Sequence, residues 1–181
     1  MSRPTLRLWD PLVRLFHISL AGVFVANYFF NEAGDDWHVW LGYYAVAWLV
    51  VRLVWGFIGP RSARWSDFWP TPARLRAHVG SLLRRQPEHR LGHSPLGALV
   101  MVLMMAMVFG IGLTGWLMTE VDALWGADWP QQIHETLADG LAWVVCLHIA
   151  AALFESYQVK DNLPLSMITG RRRPLADESR N

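Results

Sequence analysis

The chain has 181 residues and a formal net charge of +1, with 53% hydrophobic, 13% aromatic and only 17% charged residues. This exceeds ordinary globular usage and excludes a typical soluble domain, leaving the bilayer as the natural solvent. The small net charge hides strongly polarised segments.

In chain order, Asp10-Pro11 reads as an N-cap and first-turn pair opening a first apolar span over 11–30, with His17 inside its first two turns. The apolar core is longer than a signal-peptide h-region and no small-x-small cleavage site closes it, so an uncleaved helix is expected. A second span over 37–58 begins at Trp37-His38 and carries Arg52 near its other end, suited to reach headgroups or to pair with an anionic group. Gly59-Pro60 stops it.

The segment 61–93 has its own pattern. Thr71-Pro72 opens a helix over 71–85, where Leu75, Val79, Leu82 and Leu83 recur at helical spacing beside Arg74, Arg76, Arg84 and Arg85. The pattern predicts a basic amphipathic helix lying on the inner membrane surface. Trp65, Phe68 and Trp69 before it read as interfacial anchors. Its arginines follow membrane topology, and no nucleic-acid partner is expected.

A third span over 95–118 contains no histidine. Met101, Met104, Met105 and Met107 are expected to supply adaptable packing, and Gly110, Gly112 and Gly115 to permit close approach, making this helix a wall of a site and not a source of ligands. The fourth span, 131–158, holds His134 and His148. Fourteen residues apart on one helix, they differ by a rise of roughly 21 Å and an angle of about 40°, so both point the same way at different depths. Cys146 is expected to be a small packing residue. Each span has about the 20 residues that crossing requires. The fold expected is an all-α membrane protein, a four-transmembrane-helix bundle with a cytoplasmic amphipathic helix between the second and third spans, forming one domain over 1–181.

Orientation follows from the cations. Arg3, Arg7 and Arg14 precede or open the first span, the middle segment holds seven arginines after Arg52, and Lys160, Arg171, Arg172, Arg173 and Arg180 follow the fourth. The two short loops, 31–36 and 119–130, contain acids and no Lys or Arg. The positive-inside rule then places both termini in the cytoplasm, with membrane lipid as the solvent of the spans.

Antiparallel threading of these spans puts His17 and His148 at the cytoplasmic level and His38 and His134 at the outer level. Two isolated pairs do not meet zinc's usual demand for four ligands, or for three and a water. They suit haem b, whose two axial positions accept two imidazoles. No Cys-x-x-Cys-His occurs, so c-type attachment is excluded. The fourth residue after each histidine is small, namely Ala21, Gly42, Ala138 and Ala152, where bulk would obstruct a flat porphyrin. His93, followed by Gly97, shares that spacing, and the pattern assigns no role to His78 or His89.

The runs WDPLVRLFHISL, GYYAVAWLVVRLVWGFIGPR, HSPLGALVM, IHE, LHIAAALFES and NLPLSMITGRRR together resemble the bacterial cytochrome b561 family that includes the cytochrome b subunits of nickel–iron hydrogenases. The resemblance covers nearly the whole chain. It implies a four-helix core, two haems b on the pairs His17/His148 and His38/His134, and electron exchange between the quinone pool and a partner such as a periplasmic c-type cytochrome or a hydrogenase-like redox protein. The sequence departs from a common family form at Ile18, where tryptophan is frequent, and at Glu155-Ser156, where a second histidine is often found. Arg52 is a candidate to neutralise haem carboxylates. Quinone chemistry needs proton exchange, for which Glu135 and Asp139 at the outer end, or His93 and Lys160 at the inner side, are candidates. The expected location is the bacterial inner membrane, and a second copy of the chain is a candidate partner. Competing readings are an electron-accepting anchor of a hydrogenase-like complex, an outer-sphere reductase of a small oxidant, and a histidine-lined proton or metal transporter.

Overall fold

The computed structural model describes residues 6–7, 9–84 and 94–172. Among them the elements in chain order are β1 (Leu6–Arg7), α1 (Pro11–Phe29), α2 (Asp36–Ile58), α3 (Trp65–Phe68), α4 (Pro72–Leu83), α5 (Pro95–Glu120), α6 (Asp128–Val159), α7 (Leu163–Thr169) and β2 (Arg171–Arg172), with single 3-10 turns at Arg61–Ala63 and Asp122–Leu124. Four of the helices, α1, α2, α5 and α6, are long and apolar enough to cross a membrane. At most 22% of any apolar window is buried within the chain, and Trp143 and Leu147 on α6 are 75% and 68% exposed. Apolar surface on this scale is stable only against lipid or a partner. The fold is an all-α membrane protein, with a two-residue antiparallel ladder pairing Leu6 with Arg172 and Arg7 with Arg171 as the one departure among the described residues.

The expected starts are built as read. Asp10 Oδ1 accepts from the Leu12 and Val13 amides at 2.9 and 3.2 Å, satisfying two of the amides that the first turn of α1 leaves free. Thr71 Oγ1 accepts from the Arg74 amide at 3.3 Å and starts α4. Helix α6 begins at Asp128, earlier than expected, because Pro130 fits a first turn where no amide is needed, and it is fully buried there. The expected span ends otherwise agree within the usual fraying of helix termini.

Two compact units divide the chain, one comprising Met1–Arg14, Trp55–Met101 and His148–Asn181, the other Leu15–Val54 and Val102–Leu147. Their segments differ sharply in charge. The first holds fifteen of the sixteen Lys and Arg residues against seven of the fifteen acids; the second holds Arg52 alone against eight acids. They are called here the basic and the acidic unit.

The basic unit is held by polar contacts between short segments. Trp55 Nε1 donates to Asp10 Oδ1 at 3.1 Å, and Trp9 Nε1 donates to Ser166 Oγ at 3.2 Å. Asn162 caps α7 by accepting from the Leu165 amide at 2.9 Å, and Gly170 ends it at φ +74°, in the left-handed region that favours glycine. Arg14 donates to the Met167 and Ile168 carbonyls, placing a cation where the last carbonyls of α7 lack helical partners. Trp65, expected as an interfacial anchor, also packs inward. A Cβ on Gly56 would lie 1.8 Å from its Nε1, so only glycine fits there.

The acidic unit is held by close approach of long helices. A Cβ on Gly112 would sit 2.3 Å from Val46 Cγ2, one on Gly110 2.8 Å from Leu137 Cδ1, and one on Gly140 2.9 Å from Met107 Cε. Helix α5 therefore presents its backbone to α2 and α6, as Gly110 and Gly112 suggested, and Met105 and Met107 fill space between helices. Polar pairs join the same helices: Tyr44 Oη donates to Ser19 Oγ at 3.1 Å, and Tyr43 Oη donates to Glu120 Oε1 at 3.0 Å.

Candidate functional site

Within the acidic unit, all four long helices line a cavity of about 500 Å3. Its size falls in the range of about 300–1,000 Å3 common for ligand sites. The walls are mostly apolar, from Leu20 and Phe24 on α1 to Val108 and Ile111 on α5. Two imidazoles stand in it, His38 from the first turn of α2 and His134 from the second turn of α6.

These rings face each other with centroids 6.0 Å apart and planes inclined at 50°. Two metal–imidazole bonds of about 2 Å plus the radius of each ring sum to about the same length. The separation is therefore the one expected for two imidazoles on opposite sides of a single iron. His38 Nδ1 is buried and has no hydrogen-bond partner among the described residues. Burying an imidazole nitrogen unpaired is costly, so the site is chemically complete only with a further group.

The walls beside the rings are small. Gly42 and Ala138, each four residues after a histidine, both line the cavity, and a Cβ at Gly42 would meet nothing within 4 Å. Gly112 and Gly115 line it from α5, where a Cβ on Gly115 would come 3.5 Å from His134 Cε1. A flat, apolar group held between two imidazoles fits this space. A cation held by side chains alone does not, since no cluster of three or more His, Cys, Asp or Glu converges among the described residues.

A family model described as prokaryotic cytochrome b561 matches residues 8–170. The chain belongs to this family. It is also 30% identical, over 95% of its own length and 90% of the relative's, to a protein of Rhizobium leguminosarum bv. viciae described as a probable Ni/Fe-hydrogenase B-type cytochrome subunit. No solved structure matches it at a comparable level of significance. As a cytochrome b561 family member it is a membrane protein that binds haem b and transfers electrons, and the cavity between His38 and His134 suits that group in shape and in donors.

The remaining candidates are more scattered in this b561 chain. His17 is exposed on α1 in the acidic unit, and His148 is half-buried on α6 in the basic unit. Arg52 is 1% exposed, so its guanidinium lies inside the chain and does not reach outward to headgroups. Asp139 accepts a hydrogen bond from Tyr28 Oη at 2.9 Å, and Glu135 accepts from Gln131 Nε2 at 2.8 Å, one helical turn away. His78 is half-buried on α4, with its carbonyl accepting from Ser81 Oγ at 2.7 Å. His89 and His93 lie outside the described residues.

Two further polar contacts shape the site. Asn27 Nδ2 on α1 donates to the His38 carbonyl at 3.0 Å, tying α1 to the turn that carries this ring. Thr114 Oγ1 on α5 lies 3.1 Å from His134 Nδ1. The only trace of either in the sequence is a short polar side chain inside an otherwise apolar span.

Proposed function

We propose that this protein is a dihaem cytochrome b of the bacterial inner membrane, carrying electrons between the quinone pool and a periplasmic or membrane redox partner, with both termini in the cytoplasm. The observation that supports it most is the pair His38 and His134, 6.0 Å apart in an apolar cavity that a flat group would fill. Bound there, haem b would supply a one-electron couple. His38 and His134 would hold the haem, Gly42, Ala138 and Gly115 keep the walls thin, and the apolar lining excludes water.

His17 and His148 hold the second haem in this reading, which rests on their depth along the spans and on the family resemblance. Arg52, the one Lys or Arg in the acidic unit's segments, is a candidate to neutralise a carboxylate of a bound haem. The inward orientation rests on fifteen cations carried by the basic unit's segments. Glu135 and Asp139, at the outer end of α6, are the candidate proton carriers for a quinone on that side.

A second reading, an electron-accepting membrane subunit of a hydrogenase-like complex, is favoured by the similarity to the Rhizobium protein. The two differ in partner and not in cofactor. Haem stoichiometry of the purified chain tests what they share: the pyridine haemochrome should give two haems b per chain, with a low-spin reduced-minus-oxidised spectrum. A stable protein with no haem sinks the proposal, and a single haem removes the His17/His148 site.

A further inference from the structure

Thr114 sits in the C-terminal third of α5, 5% exposed, in a helix that is otherwise almost wholly apolar. Its hydroxyl oxygen lies 2.8 Å from the Gly110 carbonyl, 3.0 Å from the Ile111 carbonyl and 3.1 Å from His134 Nδ1. A hydroxyl has one proton to give and two lone pairs with which to accept. The two carbonyls can only accept, and they are the nearer partners, so the proton goes to them. The oxygen is then left to accept, and the neighbour at 3.1 Å must be the donor. This contact requires Nδ1 of His134 to carry the hydrogen.

The consequence concerns the other nitrogen. With the proton on Nδ1, the lone pair is on Nε2, the nitrogen that a metal-bound imidazole offers when Nδ1 is the one hydrogen-bonded. His38 differs: its Nδ1 is buried with no hydrogen-bond partner among the described residues. The two rings facing each other across the cavity are therefore set by different means, one by a hydroxyl on α5 and the other by the turn that Asn27 holds.

We infer that Thr114 is a positioning residue for His134, fixing its tautomer and ring orientation through the chain His134 Nδ1–H to Thr114 Oγ1–H to the Gly110 and Ile111 carbonyls, and so setting the reduction potential of the haem it faces below that of the same site without the hydroxyl. The inference rests on the reading of His134 as a haem ligand. A hydrogen bond accepted from Nδ1–H makes the ring a stronger electron donor, and a stronger donor favours ferric over ferrous iron. Removing the acceptor raises the potential.

The test is a redox titration of the purified, haem-loaded full chain, with the ferric low-spin EPR spectrum recorded alongside. Thr114→Val keeps the shape and removes the oxygen. It should raise one midpoint potential by about tenfold in the reduction equilibrium, or ~59 mV for one electron, leave the other midpoint in place and shift one set of g-values. Thr114→Ser, which restores the hydroxyl, should return both to the wild-type values. Thr114→Ala should shift in the same direction as valine and serves if valine is poorly tolerated. His134→Leu separates the two failures. If it removes one haem while valine and alanine leave both potentials and both g-sets unchanged, the ligand stands and Thr114 has no such role. If it leaves two haems in place, His134 is no ligand and the reading beneath the inference falls.

Discussion

The basic and the acidic unit draw on the same four long helices and stabilise themselves by opposite means. In the basic unit, side-chain caps and hydrogen bonds knit short segments together: Asp10 on the first turn of α1, Arg14 on the last carbonyls of α7, Trp9 on Ser166. In the acidic unit, Gly110, Gly112 and Gly140 let helices approach until side chain meets backbone, and the space left between them is a cavity with two imidazoles. Polar knitting tolerates water and headgroups, because each bond is local and replaceable. A glycine-spaced, apolar enclosure is what a buried prosthetic group needs, since its walls must be thin, dry and fixed.

The contrast is most sharply tested at the histidines. His38→Leu should remove one of two haems and leave the other, giving half the wild-type haem per chain by pyridine haemochrome; loss of both would show that the two sites are not independent. Next in size is the packing of the acidic unit. Gly112→Leu drives a side chain into Val46, 2.3 Å from the position of its Cβ, and overpacking of this kind costs about 1–3 kcal/mol. Its haem absorbance should be lost at a lower temperature in mild detergent, with the haem at His38 and His134 released first.

Gly56→Ala is the matched perturbation in the basic unit. Its Cβ would lie 1.8 Å from Trp65 Nε1, so the indole must move, again at about 1–3 kcal/mol, offset by roughly 1 kcal/mol of helix propensity. Here the melting temperature should fall while haem content and the potential of the His38/His134 site stay at wild type. Asp10→Ala loses the N-cap, at about 1 kcal/mol, together with the acceptor of Trp55 Nε1, and reads out as faster hydrogen exchange in the first turn of α1. Smallest and opposite in sign is Gly80→Ala on α4, where a Cβ meets nothing within 4 Å. It should stabilise by about 0.5–1 kcal/mol through helix propensity, visible as a slightly higher melting temperature.

The elements most legible in the sequence are those set by local chemistry. Asp10-Pro11 and Thr71-Pro72 announce helix starts because a cap and the residues it serves are within one turn of each other. The four spans are visible because about 20 consecutive apolar residues have few alternatives. Antiparallel threading also puts His38 and His134 at one depth, and their ring centroids lie 6.0 Å apart. The ladder of β1 with β2 and the Arg14 contacts were not legible, since each depends on residues more than 150 positions apart coming side by side.

Thr114 shows the limit best. Helix α5 is apolar on every side, so it has no stripe from which its rotation about its own axis can be read. The sequence by itself determined that four apolar helices are long enough to cross a membrane, where the charges lie, and that His38 and His134 stand at one depth. Which face of α5 turns toward His134, and hence which ring receives a hydroxyl and which keeps a bare nitrogen, was decided only when Gly110 and Gly112 met Leu137 and Val46. Close packing selects among rotations that polarity leaves equal.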